Sequence, residues 1–171
     1  TTAVETGTYL GATTKYLATQ FNRVHTIELD EGLFKEVEKS FKNNKNIKCH
    51  LGDSSTVLRE KIIDELNNSE YDKKVFFFLD AHIQANMGDR CNFKRVCPLI
   101  EELDAIKTLT RKDNIICIDD LRIITGCKWG DYENVDLLSM IKEKVLEINP
   151  DYQFSRLNGH VTDDVLYCFL P

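Results

Sequence analysis

Residues 75–79 read Val-Phe-Phe-Phe-Leu, five apolar side chains in a row between Lys73-Lys74 and Asp80. A strand with one wet face alternates apolar and polar residues. An unbroken apolar run suits a strand covered on both faces, the pattern of a central strand in a parallel sheet. Ile115-Ile116-Cys117-Ile118 repeats the pattern. Parallel neighbours need a long crossover, usually a helix, and the chain supplies helical spacing between its apolar runs. Strands are expected at Ala3–Glu5, Val24–Leu29, Asn46–Leu51, Val75–Leu79 and Ile115–Ile118. Helices are expected at Ala12–Phe21, Gly32–Lys42, Ser54–Leu66, Pro98–Leu109 and Val135–Ile148. Tyr152–Leu157 and Val165–Leu170 read as two closing strands joined by the turn-like Asn158-Gly159, too tight for a crossover and hence antiparallel. The result is a Rossmann-like, doubly wound α/β sheet.

Its 171 residues fit one domain spanning 1–171 and can bury a core without staples. The chain begins almost within its first strand, as expected of an excised domain whose leading helix is missing. No apolar run approaches a membrane span, and Thr1-Thr2-Ala3-Val4-Glu5 lacks the pattern of a signal peptide; a cytoplasmic protein is expected. Net charge is −6, with Lys and Arg scattered among acids, which makes nucleic acid a poor partner. None of the six cysteines lies in a CxxC pair, so zinc is not expected. Cys117 and Cys168 read as buried hydrophobes; Cys91 and Cys97 flank a loop and either pair or stay free thiols.

In open α/β sheets ligands bind at the carboxyl ends of the strands. The first strand is followed by Glu5-Thr6-Gly7-Thr8-Tyr9-Leu10-Gly11 and a helix. The glycine spacing is GxxxG rather than the GxGxxG that cradles a pyrophosphate, which argues against a dinucleotide oxidoreductase. Such glycines are either a close-approach site for a ligand or structural. After the second strand stands Glu28, 17 residues beyond Gly11, either a solvated acid or an acceptor for a ribose diol. After the third comes Gly52-Asp53-Ser54, where Asp53 is either a helix cap or an acceptor for an adenine amino group. Taken together, in order and at successive strand ends, these acids point to one ligand.

Glu5-x-Gly7-x-x-x-Gly11, Glu28 and Gly52-Asp53 resemble the cofactor motifs of class I S-adenosylmethionine-dependent methyltransferases, over nearly the whole chain. The resemblance implies a mostly parallel seven-stranded sheet with its final strand inserted antiparallel. It implies Glu5, Thr6 and the Gly7–Gly11 loop with Tyr9 near the methionine part, Glu28 and Leu29 at the ribose, Gly52, Asp53 and Ser54 at the adenine, and Asp80 close to the cofactor.

Leu79-Asp80-Ala81-His82 and Ile118-Asp119-Asp120 end the fourth and fifth strands. Like charges crowded together are costly unless protons or a cation neutralise them, and hard oxygen ligands suit Mg²⁺ or another divalent cation. The arrangement is similar to metal-dependent small-molecule O-methyltransferases, whose matching positions, Asp80, Asp119 and Asp120, hold the metal. The catechol type usually has Asn where Asp120 stands, so the resemblance leans to the type that methylates sugars. Phe78-Leu79-Asp80-Ala81-His82 with Cys97-Pro98-Leu99-Ile100-Glu101-Glu102-Leu103 also resembles methyltransferases found with glycan genes. A small-molecule or glycan acceptor is expected. His82 is a general base, a substrate contact or a loop residue, and Asp80 shares the proton-handling role. Trp129 either stacks on a sugar or pins its loop, and His160 is structural. A loop is expected at 119–132, and residues 82–95 with its part at 121–132 are expected to wall the acceptor and to be more mobile than the sheet. A non-catalytic binding module is the rival to an enzyme.

Overall fold

A computed structural model describes residues 1–68, 74–82, 97–126 and 135–171. Seven strands form one sheet: β1 Thr2–Thr6, β2 Arg23–Glu28, β3 Ile47–Leu51, β4 Val75–Leu79, β5 Ile115–Ile118, β6 Gln153–Leu157 and β7 Val165–Phe169. Their order is β3-β2-β1-β4-β5-β7-β6. The pairs among β1 to β5 are parallel, and β7 runs antiparallel to both β5 and β6. This is the doubly wound sheet with an inserted final strand expected from the sequence. The strand order reverses beside β1, which leads to β2 on one side and β4 on the other, and ligands bind at such a switch point.

The helices are α1 Ala12–Gln20, α2 Glu31–Phe41, α3 Ser54–Val57, α4 Ile63–Asn68, α5 Leu99–Ile106, α6 Leu121–Gly126 and α7 Leu137–Ile148. A π-helical turn at Leu58–Ile62 joins α3 to α4, so the single helix expected from Ser54 is one rod with a widened turn. Alternation along the strands sorts the core into two layers. Phe77, Leu79, Ile116 and Ile118 pack with Leu58, Leu103, Ile106, Ile141 and Val145 on one face. Ala3 and Val24 pack with Leu17 of α1 on the other.

Several readings change. Phe76 and Phe78 are only half-buried, so β4 is fully covered on one face and partly on the other, where Phe21 stacks on Phe76 with centroids 5.3 Å apart. The segment at 119–132 is not wholly a loop: α6 occupies its start, held by buried Leu121 and Ile124, an i, i+3 pair too short to show a period. The β6–β7 connection spans residues 158–164 rather than the Asn158-Gly159 dipeptide alone. Cys97 is a buried free thiol. Cys91, Cys127, Trp129 and residues 83–95 lie outside the described residues.

Candidate functional site

The tips of β1, β2, β3, β4 and β5 carry the acids that the sequence singled out. The chain leaves β1 at Gly7 with φ +83°, and the Gly7 and Thr8 amides both donate to the Ile27 carbonyl, at 3.0 and 3.1 Å. A Cβ on Gly7 would lie 2.5 Å from the Asp80 carbonyl oxygen. Only glycine combines that backbone angle with so close an approach. At Gly11, φ is +77° and an added Cβ would strike the Phe41 ring at 2.6 Å, so this glycine lets the turn pack onto α2. Tyr9 between them adopts φ +49°, with its ring half exposed.

Glu5 lies beneath this turn at 1% exposure. Its Oε2 accepts from the hydroxyls of Thr14 and, at 2.6 Å, Thr26, and burial raises its carboxyl to about 7. Glu28 accepts the Tyr9 amide at 2.8 Å and the Asp30 amide at 2.9 Å, and burial raises its pKa. The Glu28 carboxylate thus fixes the glycine turn against the tip of β2. Asp53 caps α3: its Oδ1 accepts the Thr56 amide at 3.0 Å and the hydroxyls of Ser55 and Thr56. Leu29 follows the end of β2, and Gly52 has φ +140° at the end of β3. The tips of β1, β2 and β3 therefore line up one buried acid, a second anchored acid and a capping acid beside the turn bounded by Gly7 and Gly11. Carboxylates of this kind can accept from an ammonium, a ribose diol or an exocyclic amine.

At β4 and β5 the acids separate into two groups. Ligand atoms of Asp80, His82 and Asp120 all lie within 4.8 Å of one another; so do those of Asp119, Asp120 and Asp164. His82 Nε2 is 2.7 Å from Asp120 Oδ2 and 3.8 Å from Asp80 Oδ1. Of the three acids expected to share one ion, Asp80 and Asp120 meet at His82, while Asp119 groups with Asp120 and the buried Asp164. Arg122 Nη1 stands 2.6 Å from Asp120 Oδ1 and also pairs with Asp164. Burial, then the charges of Asp119 and Asp120, push Asp80 up to about 8. Asp120 itself has φ +60°, a left-handed conformation that Asp tolerates better than most residues. The carboxylates of Asp80 and Asp120, with ligand atoms within 4.8 Å of one another, are close enough to share a divalent cation at about 2–2.6 Å.

Beneath Asp80 lies a cleft lined by Leu79, Asp80, His82, Cys97, Glu102 and Ile118, among others. Glu102 of α5 is wholly buried there, accepts from the Ser54 hydroxyl, and is raised to about 7 by burial. Sequence reasoning missed Glu102, Arg122 and Asp164. Glu102 carried a readable signal, since Leu99 and Ile106, three residues before and four after it, place it on an apolar helical stripe.

No protein-family model matches the sequence, and no curated protein matches it. The architecture is nevertheless that of the class I S-adenosylmethionine-dependent methyltransferases. Among solved structures of this fold is an O-methyltransferase from Bacillus cereus in complex with S-adenosylhomocysteine, with a TM-score of 0.67 at 18% identity over 99% of this chain and 74% of that one. A TehB-like S-adenosylmethionine-dependent methyltransferase from Corynebacterium glutamicum gives 0.55 at 12% identity over 99% and 79%. The 23S rRNA methyltransferase ErmE gives 0.54 at 14% over 99% and 61%. The resemblance read from the motifs is thus met in the fold. Among the described residues, no helix is long and apolar enough to cross a membrane.

Proposed function

We propose that the chain is an S-adenosylmethionine-dependent O-methyltransferase acting on a hydroxyl of a sugar, glycan or other small molecule, assisted by a divalent cation. The observation that carries this reading is the ordered set of Glu5, Gly7, Glu28 and Asp53 at the tips of β1, β2 and β3, with Asp80, His82 and Asp120 beside it. The cofactor, when bound, supplies a methyl group on a sulfonium; the cation, when bound, lowers the pKa of an acceptor hydroxyl and orients it. Glu28 would take the ribose diol, Asp53 the adenine amino group, and Glu5 with Thr6, Gly7, Tyr9 and Gly11 would surround the methionine end. Leu29, Gly52 and Ser54 would complete the cleft. Asp80 and Asp120 would hold the cation, with Asp119 next to them. His82, next to Asp80 and Asp120, would hold or accept the acceptor's proton. The contribution of the protein is placement: an acceptor oxygen in line with the methyl carbon.

The net charge of −6 favours a small acceptor over a polyphosphate. A second reading, methyl transfer without metal, is favoured by Arg122, whose guanidinium already pairs with Asp120 and Asp164. Transfer of labelled methyl to a panel of sugars, nucleotide-sugars and catechols tests both. Turnover that stops in excess chelator and returns with Mg²⁺ supports the metal-assisted reading. Full turnover in chelator leaves the metal-free one, and no transfer to any acceptor, with cofactor bound, leaves a binding module.

A further inference from the structure

Glu102 is an acid where the fold calls for a hydrocarbon. It lies on α5 between Leu99, Leu103 and Ile106, all at 3% exposure or less, and is itself at 0%. Its carboxyl accepts the Ser54 hydroxyl, in the first turn of α3 directly after Asp53, and the nearby Thr6 hydroxyl at the tip of β1 lowers its pKa. The Thr6 hydroxyl in turn accepts the Asp80 amide at 3.2 Å. The Glu102 carboxyl therefore sits between the start of α3, to which it is bonded, and the Thr6 hydroxyl that links β1 to β4. The other oxygen, Oε2, has no hydrogen-bond partner among the described residues, and Glu102 lines the same cleft as Asp80. A buried, half-satisfied carboxyl of this kind costs stability relative to a hydrocarbon of the same shape.

Resting on the cofactor reading above, we propose that Glu102 is a positioning residue for the cofactor: through Ser54 and Thr6 it fixes the distance between the adenine-binding end of the cleft at Asp53 and the methionine end at Gly7 and Asp80. A ligand that bridges two ends of a cleft gains from both only when their separation is fixed beforehand. Removing the strut should therefore weaken the two-ended ligand without unfolding the protein. Burial keeps the neutral acid populated near pH 7, so a glutamine is the close mimic: its carbonyl accepts from Ser54, and its amide takes the place of Oε2.

The test is calorimetric titration of S-adenosylhomocysteine into the wild type, E102Q, E102L, S54A and the E102L/S54A double variant, with thermal melts of each. E102Q should bind within threefold of wild type. E102L should melt at or above the wild-type temperature yet bind at least tenfold more weakly. S54A should weaken binding severalfold alone and add nothing in the E102L background, because both act through one contact. A folded E102L that binds within threefold of wild type overturns the inference, and so do additive losses in the double variant. If E102L does not fold, S54A and T6V carry the test, since both keep Glu102: wild-type affinity in both overturns it. A wild type that binds no S-adenosylhomocysteine fails at the cofactor reading itself, whereas wild-type binding with a tight E102L fails only at Glu102.

Discussion

Substituting Gly7 by alanine probes the point where β1 meets β4. The backbone angle at Gly7, φ +83°, costs a non-glycine residue roughly 1–2 kcal/mol. The new methyl would also stand 2.5 Å from the Asp80 carbonyl oxygen and 2.9 Å from its carbon, and these are backbone atoms that cannot rotate away. Real contacts of that kind stay above 3.0 Å, so the two tips must part by about half an ångström. That movement strains the Asp80 amide bond to the Thr6 carbonyl at 3.1 Å and the Gly7 amide bond to Ile27 at 3.0 Å, each worth about 1 kcal/mol net. The combined loss is about 2–4 kcal/mol, which for a chain of this size lowers the melting temperature by roughly 4–16 °C. Gly11→Ala is the control. Its methyl would meet the Phe41 ring, which can turn, so it should cost less. Urea unfolding gives the stability of each variant, and calorimetry with S-adenosylhomocysteine gives its affinity. Gly7→Ala should be the less stable of the two and should bind at least tenfold more weakly than wild type. Wild-type stability in Gly7→Ala, or a larger loss in Gly11→Ala, would refute the argument that the β1 tip is locked against Asp80.

Two further outcomes are expected. Glu28→Ala should remove an acceptor for the ribose diol together with the anchor of the Tyr9 and Asp30 amides, lowering S-adenosylhomocysteine affinity by roughly 1.5–3 kcal/mol in calorimetry; unchanged affinity would remove Glu28 from the site. Burial pulls His25 and His50 down to about 4 from the ordinary 6.5, so the unfolded chain takes up their protons first. Their contribution to stability is complete above pH 6.5 and is lost as pH falls from 6.5 to 4. His50→Gln should therefore lose less stability than wild type across that window in urea titrations, and parallel curves would contradict the assignment.

What the sequence revealed follows from the range of the interactions involved. Of the five parallel strands, β1, β2, β4 and β5 were legible because burial writes itself into neighbouring residues, as at Val75–Leu79. The Gly7 turn was legible because a positive φ at a strand end demands a residue type. Whether Asp53 caps a helix or receives a ligand was not separable, since one carboxylate can do both, and its Oδ1 does the first here. The regrouping of the acids at β4 and β5 was out of reach. It depends on Arg122 and Asp164, which are 42 residues apart and meet only because β7 enters the sheet beside β5. Glu102 was hidden for a related reason: its hydrogen-bond partner, Ser54, lies 48 residues away in the sequence.

The insertion of β7 bears on how the protein is made. Synthesis is vectorial, and β6 emerges before its only partner among the described strands. While residues 165–169 are still in the ribosome, β1 to β5 can assemble, but the outer side of β5 is a bare edge, and the five residues of β6 have nowhere in the sheet to bind. A bare edge beside Ile116 and Ile118 is a template for strands of other chains. The nascent chain is thus most exposed to wrong partners in the interval between β5 and β7. The sheet is complete only when β7 pairs with β5 on one side and β6 on the other, which also brings Asp164 to Arg122.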